Sequence, residues 1–204
     1  MNQEQYKSQI QENLRELSRL TQDMAQSAIP ENIVRAAEII VASLKAGGKA
    51  LACGNGGSAA DAQHFIGELV GRYLYDRPAV CGMTLSTDIA VTSAICNDYD
   101  YFAVFERQIE GLGRPGDVLI AFSTSGSSPN ILRAIEKARA IGMRTVMFAG
   151  AKSNPAIEQC DALIQAPSEH TPRIQELHTA LYHAVCEIVE RELFPPEQYA
   201  KQGS

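Results

Sequence analysis

His64 and Glu68 stand four residues apart in the stretch AADAQHFIGELV. On a helix that spacing puts an imidazole and a carboxylate on one face, one turn apart. Such a pair suits metal ligation or proton transfer. The same pair decorates many solvated helices, but here the flanking residues are mostly apolar. A second set, Gln175, His178 and His183, falls in TPRIQELHTALYHAVCEIVEREL near the C-terminus. On a helix Gln175 and His183 lie two turns apart and about 80° round from one another, with His178 on the neighbouring stripe. Spacing alone leaves open which histidine serves a site and which is a core residue.

Two loops could hold an anion. The run KALACG is followed by Gly54-Asn55-Gly56-Gly57-Ser58 and then at once by a helical pattern from Ala59. A glycine-rich turn between strand and helix lets backbone approach a ligand and leaves the free N–H groups of the helix start facing it. It matches neither GxGxxG nor a lysine-bearing P-loop, and residues 51–71 contain no Lys or Arg. The second loop, Ser123-Thr124-Ser125-Gly126-Ser127-Ser128-Pro129-Asn130, joins DVLIAF to the helical ILRAIEKARAIG and carries five hydroxyls. A helix N-cap needs only one of them. The excess points to a phosphate surrounded by hydroxyls and amides, aided by the roughly half positive charge of a helix N-terminus.

The elements that must position these residues follow from periodicity. Five apolar runs, 49–54, 79–85, 117–123, 144–150 and 161–167, are separated mostly by helical patterns. That alternation predicts an α/β fold, a doubly wound five-stranded parallel sheet flanked by helices. Both loops then leave the carboxyl ends of strands, where open α/β sheets bind ligands at the switch in strand order. Helices are expected over 3–28, 32–44 and 171–193. In the first, Tyr6, Ile10, Leu14, Leu17, Leu20 and Met24 form a narrow stripe of period near 3.5, the mark of an oligomerisation seam. With 204 residues and no linker or repeat, residues 1–204 read as one domain.

Composition excludes other classes. The net charge of −6, with no basic cluster, argues against nucleic acid as a partner. No apolar run approaches the ~20 residues that cross a bilayer, and the polar N-terminus does not read as a secretory signal. Five dispersed cysteines without a CxxC pair read as reduced, mostly buried thiols, giving a cytoplasmic expectation.

The two loops together resemble the sugar isomerase (SIS) family of phosphosugar-binding domains. Within it, CGNGGSAADAQHFIGELVGRY, AICNDYDYFAVFERQIEGLGRPGDVL, FSTSGSSPNIL and TPRIQELHTALYH resemble the phosphoheptose isomerases, over nearly the whole chain. The resemblance implies a zinc ion, one per subunit, held by His64, Glu68, Gln175 and His183, with Glu68 and His183 catalytic. It implies that Asn55, Gly56, Gly57, Ser58, Glu68, Asn97, Asp98 and Gln175 bind substrate and that Ser123, Thr124, Ser125 and Ser128 cradle its phosphate. It also implies a homotetramer with active sites at subunit interfaces. The activity it implies is aldose–ketose isomerisation of sedoheptulose 7-phosphate to D-glycero-D-manno-heptose 7-phosphate, feeding heptose into lipopolysaccharide or other surface glycans. The alternative is a non-catalytic, DnaA-binding scaffold of the same subfamily, whose C-terminus the ELFPPEQ tail resembles. That relative lacks the acid–base residues present here as Glu68 and His183.

Overall fold

In the computed structural model, which describes residues 2–152 and 154–199, the alternating strand pattern produces a five-stranded parallel sheet. Its strands are β1 (Ala50–Gly54), β2 (Gly82–Thr84), β3 (Val118–Ser123), β4 (Arg144–Ala149) and β5 (Ala162–Gln165), in the order β2-β1-β3-β4-β5. Successive side chains point to opposite faces. Ala50, Ala52, Val118, Ile120, Phe122, Val146, Phe148 and Ile164 join one hydrophobic cluster. Leu51, Cys53, Leu119, Ala121, Met147 and Ala149 join the other.

The first cluster is covered by α2 (Ile29–Lys45), α3 (Gly57–Val70) and α8 (Thr171–Leu193). The second is covered by α5 (Val104–Leu112) and α6 (Pro129–Ile141). Short helices α4 (Ile89–Asp98), α7 (Pro155–Glu158) and α9 (Pro196–Tyr199), with a 3₁₀ turn at Tyr101–Ala103, complete the order. The expected doubly wound sheet is therefore present, with the order reversing between β1 and β3. The helices that follow these two strands lie on opposite faces.

Two expectations change at the ends of elements. Helix α1 (Gln3–Ala25) stops earlier than predicted, and α2 begins at Ile29 rather than Asn32. The reason is Pro30: its fixed φ and missing N–H fit the first turn of a helix, and the Ser27 hydroxyl accepts from the Ile29 N–H at 3.1 Å. Of the cysteines, only Cys53 and Cys186 are buried; Cys96 and Cys160 are half-buried and Cys81 is exposed. Cys81 sits just before the short edge strand β2.

The stripe on α1 divides in two. Leu20 and Met24 are buried in the first cluster, whereas Tyr6, Ile10 and Leu14 are 56%, 58% and 61% exposed. The N-terminal half of α1 thus carries its apolar side chains away from the sheet.

The segment after α3 is fixed by a buried ion pair that the sequence reading did not foresee. Arg77 Nε lies 3.0 Å from Glu190 Oε1 on α8, with both side chains essentially inaccessible. The guanidinium also donates to the carbonyls of Glu68 and Leu69, at 2.7 and 2.6 Å. These are C-terminal carbonyls of α3, which lack partners within their own helix. Glu190 in turn accepts from the backbone N–H groups of Tyr73 and Leu74, at 2.9 and 2.7 Å. Both carboxylate oxygens of Glu190 and all three guanidinium nitrogens of Arg77 have partners, so removing one member strands the other. Glu190→Ala should lower the unfolding free energy by about 3–5 kcal/mol, read from urea denaturation; a loss under about 1 kcal/mol would contradict this role.

Candidate active site

At the β1/β3 switch the two loops predicted from sequence meet. Gly56 caps α3 with φ +54° and ψ −121°, a conformation open to glycine and strained for other residues. The helix therefore begins without a side-chain cap; the Ser58 and Ala59 N–H groups donate instead to the carbonyls of Asn55 and Gly56, both at 3.0 Å. Asn55 and Asn130 exchange side-chain amide hydrogen bonds of 2.9 and 2.8 Å, tying the first loop to the start of α6. The Tyr101 hydroxyl donates to Asn55 Oδ1 at 2.7 Å. Asn130 is buried; neither it nor Tyr101 was singled out from sequence, because their partners lie 75 and 46 residues away.

The hydroxyl loop does not behave as a helix cap. Ser128 occupies the N-cap position of α6 but makes no side-chain cap bond. Its Oγ lies 3.2 Å from Ser123 Oγ, which is 3.5 Å from Ser125 Oγ. Ser125 Oγ accepts from both the N–H and the hydroxyl of Ser127, at 3.2 and 3.1 Å. Thr124 is anchored through its carbonyl, which accepts from Gly150 N–H at 3.2 Å. The buried Ser58, in the first turn of α3, completes the set of hydroxyls at this end of the sheet.

Gln175, from the start of α8, lies against Gly57: a Cβ built on Gly57 would come within 2.3 Å of its Nε2. Three helix N-termini, of α3, α6 and α8, thus border one crevice, and their dipoles favour an anion.

The metal-type residues gather two turns further along α3. His64 Nε2 is 2.9 Å from Glu68 Oε1 and 3.4 Å from His183 Nε2. One ligand atom from each of the three lies within 4.8 Å of the others. Two imidazoles and a carboxylate converging with an open side fit a divalent zinc-type ion, which takes three protein ligands at a reactive site and keeps a fourth position free.

Gln175 faces the glycine turn. It sits eight residues from His183 on α8, about 12 Å along the axis, and its amide faces Gly57. The structure gathers His64, Glu68 and His183 within reach of one ion. Asn97 and Asp98 are exposed at the end of α4, with Asn97 Nδ2 donating to Asp98 Oδ1 at 2.8 Å.

The histidine ambiguity is resolved. His178 is fully buried, donates from Nε2 to the Ala149 carbonyl at 3.1 Å and packs edge-on to Phe122 and Phe148. It belongs to the core. His183 faces the cluster, with Tyr73 stacked on it at 5.5 Å. Burial, and then the neighbouring His64, hold the His183 imidazole below the ordinary histidine range, against an opposing pull from Glu68. The folded protein thus favours neutral His183. Its contribution to stability is complete above the ordinary histidine value and fades as pH falls through the lowered one. In the metal-free protein, NMR should show His183 titrating below the ordinary value near 6.5, and the midpoint should rise in His64→Asn; a wild-type midpoint above 6.5 would contradict the geometry.

Comparison with known proteins was consistent across sequence and structure. The SIS domain model matches residues 5–150. The phosphoheptose isomerase of Burkholderia pseudomallei (strain 1710b) is 47% identical over 171 residues, which is 84% of this chain and 87% of that protein. The phosphoheptose isomerase structure from Neisseria gonorrhoeae superposes with a TM-score of 0.85 at 37% identity, covering 91% of this chain and 98% of that one. The structure of the Francisella tularensis phosphoheptose isomerase gives 0.86 at 32% identity, over 90% and 97%. With the hydroxyl loop, the glycine turn and the His–Glu–His cluster in one crevice, the chain belongs to the SIS domain family, in its phosphoheptose isomerase branch.

Proposed function

We propose that this chain isomerises sedoheptulose 7-phosphate to D-glycero-D-manno-heptose 7-phosphate. The observation that carries the reading is that α3 carries Ser58 in its first turn and His64 and Glu68 two to three turns further on, with the hydroxyl loop tied to its start through the Asn55–Asn130 amide pair. Gly57 and His64 are seven positions apart, a rise of ~10 Å. Eight bonds from phosphorus to C1, at the ~1.2 Å per bond of an extended chain, span about the same distance. A phosphate held by Ser123, Thr124, Ser125, Ser128 and Ser58 would thus deliver C1 and C2 of a seven-carbon sugar to the cluster. Asn55, Gly56, Gly57 and Gln175 line the path, with Asn97 and Asp98 available to the sugar hydroxyls. Energy from binding the distant phosphate then orients the reacting carbons.

Isomerisation moves a proton from C1 to C2 through an enediolate, with a matching exchange between O1 and O2. Glu68 and His183 are the groups placed to carry these protons, and a neutral His183 can accept one near neutral pH. Zn²⁺, one per subunit, is the metal this donor set suits; when bound it supplies Lewis acidity toward the sugar oxygens. His64, Glu68 and His183 would hold it, leaving the remaining position for substrate.

The assembly we infer is a cytoplasmic homotetramer with its sites at subunit interfaces. The open apolar half of α1 supports it. So does α4, which buries none of its own residues and exposes Ile89 at 82%. The product would supply heptose to lipopolysaccharide or another surface glycan. The scaffold alternative gives no reason for Glu68 and His183 to meet around His64.

Glu68→Gln should lower kcat by roughly 10²–10⁴-fold while leaving the substrate Kd within a few-fold of wild type; near wild-type turnover would remove Glu68 from the mechanism. Ser128→Ala should instead raise KM about tenfold or more, through one lost bond to a charged ligand, with kcat little changed. An unaltered KM would place the phosphate elsewhere.

A further inference from the structure

The imidazole of His64 is held through both nitrogens. Nε2 faces Glu68 and His183, while Nδ1 lies 2.7 Å from the Tyr182 hydroxyl. Tyr182 is almost wholly buried, wedged edge-on among Phe65, Phe122, His64 and His183. Its hydroxyl has one further neighbour, Thr179 Oγ1 at 3.5 Å, and Thr179 donates in turn to the Gln175 carbonyl at 3.2 Å.

The direction of these bonds depends on where the His64 proton sits. A neutral imidazole carries one N–H and one lone pair. A carboxylate only accepts, so the 2.9 Å contact with Glu68 puts the proton on Nε2 in the metal-free protein. Nδ1 is then a lone pair, and the Tyr182 hydroxyl donates to it. If Nε2 is to offer its lone pair to a cation, the ring proton must stand on Nδ1, and the atom facing Nδ1 must accept. Metal-ligating histidines generally donate their other ring N–H to such a partner. A tyrosine hydroxyl can do both: it accepts from Nδ1–H and turns its own proton to Thr179 Oγ1. No net proton is gained or lost by the imidazole in this exchange.

We propose that Tyr182 is a positioning residue whose hydroxyl reverses its hydrogen bond to His64 when the His64–Glu68–His183 cluster takes up a divalent cation, with Thr179 accepting the turned hydroxyl proton. This rests on the metal-site reading above. It assigns Tyr182 and Thr179 to selecting the His64 tautomer, and neither needs to touch substrate.

Zinc affinity measured by chelator competition, together with ¹⁵N NMR of the His64 ring, tests it. Wild-type protein should show Nε2–H without metal and Nδ1–H with zinc. Tyr182→Phe keeps the ring but not the hydroxyl, and should weaken zinc binding by 10–100-fold. Thr179→Val should weaken it by a smaller factor. Circular dichroism of the metal-free variants checks the fold, and if Tyr182→Phe does not fold, Thr179→Val carries the test. Unchanged zinc affinity in the folded variants, or zinc-loaded wild type that keeps its proton on Nε2, overturns the role of Tyr182 while leaving the metal site standing. Wild-type protein that binds no zinc overturns both.

Discussion

The parallel pairing of β1 with β3 is the constraint on which the rest of the site depends. Their register, from Ala50 opposite Val118 to Gly54 opposite Phe122, brings the two strands to the same edge of the sheet. From there the chain leaves toward α3 on one face and α6 on the other, and a crevice opens between the two departures. Each departing helix starts at that crevice and turns the positive end of its dipole toward it. The Asn55–Asn130 amide pair then locks the two loops together at a point where the backbone ladder has ended. Without this pairing the hydroxyls of Ser123 and Ser128 and the glycine turn before α3 would face different surroundings.

Charge is handled unusually in this crevice. No lysine or arginine occurs between residues 51 and 71, and the hydroxyl loop from Ser123 to Ser128 carries none either. An anion held here would meet backbone amides, hydroxyls and helix dipoles, groups that stay fixed and do not titrate. The arginine that matters most nearby, Arg77, points its charge into the protein, against Glu190 and the last carbonyls of α3. Its effect on chemistry is indirect: it holds the end of α3 where Glu68 sits, and it fixes the loop that lays Tyr73 over His183.

Much of this was legible in the sequence, for identifiable reasons. Apolar runs alternating with helical patterns, and the abrupt glycine and serine turns, located the sheet, its order-switching loops and the C-terminal helix, because those signals are local. His64 and Glu68 could be paired because a helix fixes their spacing. What stayed hidden was contact between elements. Only packing of α8 on α3 shows that His183 faces the cluster while His178 is a core residue, although both are helical histidines five positions apart. Asn130, Tyr101 and Tyr182 gave no periodic signal, as their partners are distant in sequence. The boundary between α1 and α2 was misread because Pro30 suits a helix start as well as a break.

The central claim is that cradle and cluster act together on one sugar phosphate. The most direct measurement is NMR of purified protein with sedoheptulose 7-phosphate, after chelation and again after zinc is added back. The account predicts loss of the ketose signals and growth of aldoheptose anomeric signals, abolished by the chelator and restored by zinc. No conversion under any metal condition would contradict it.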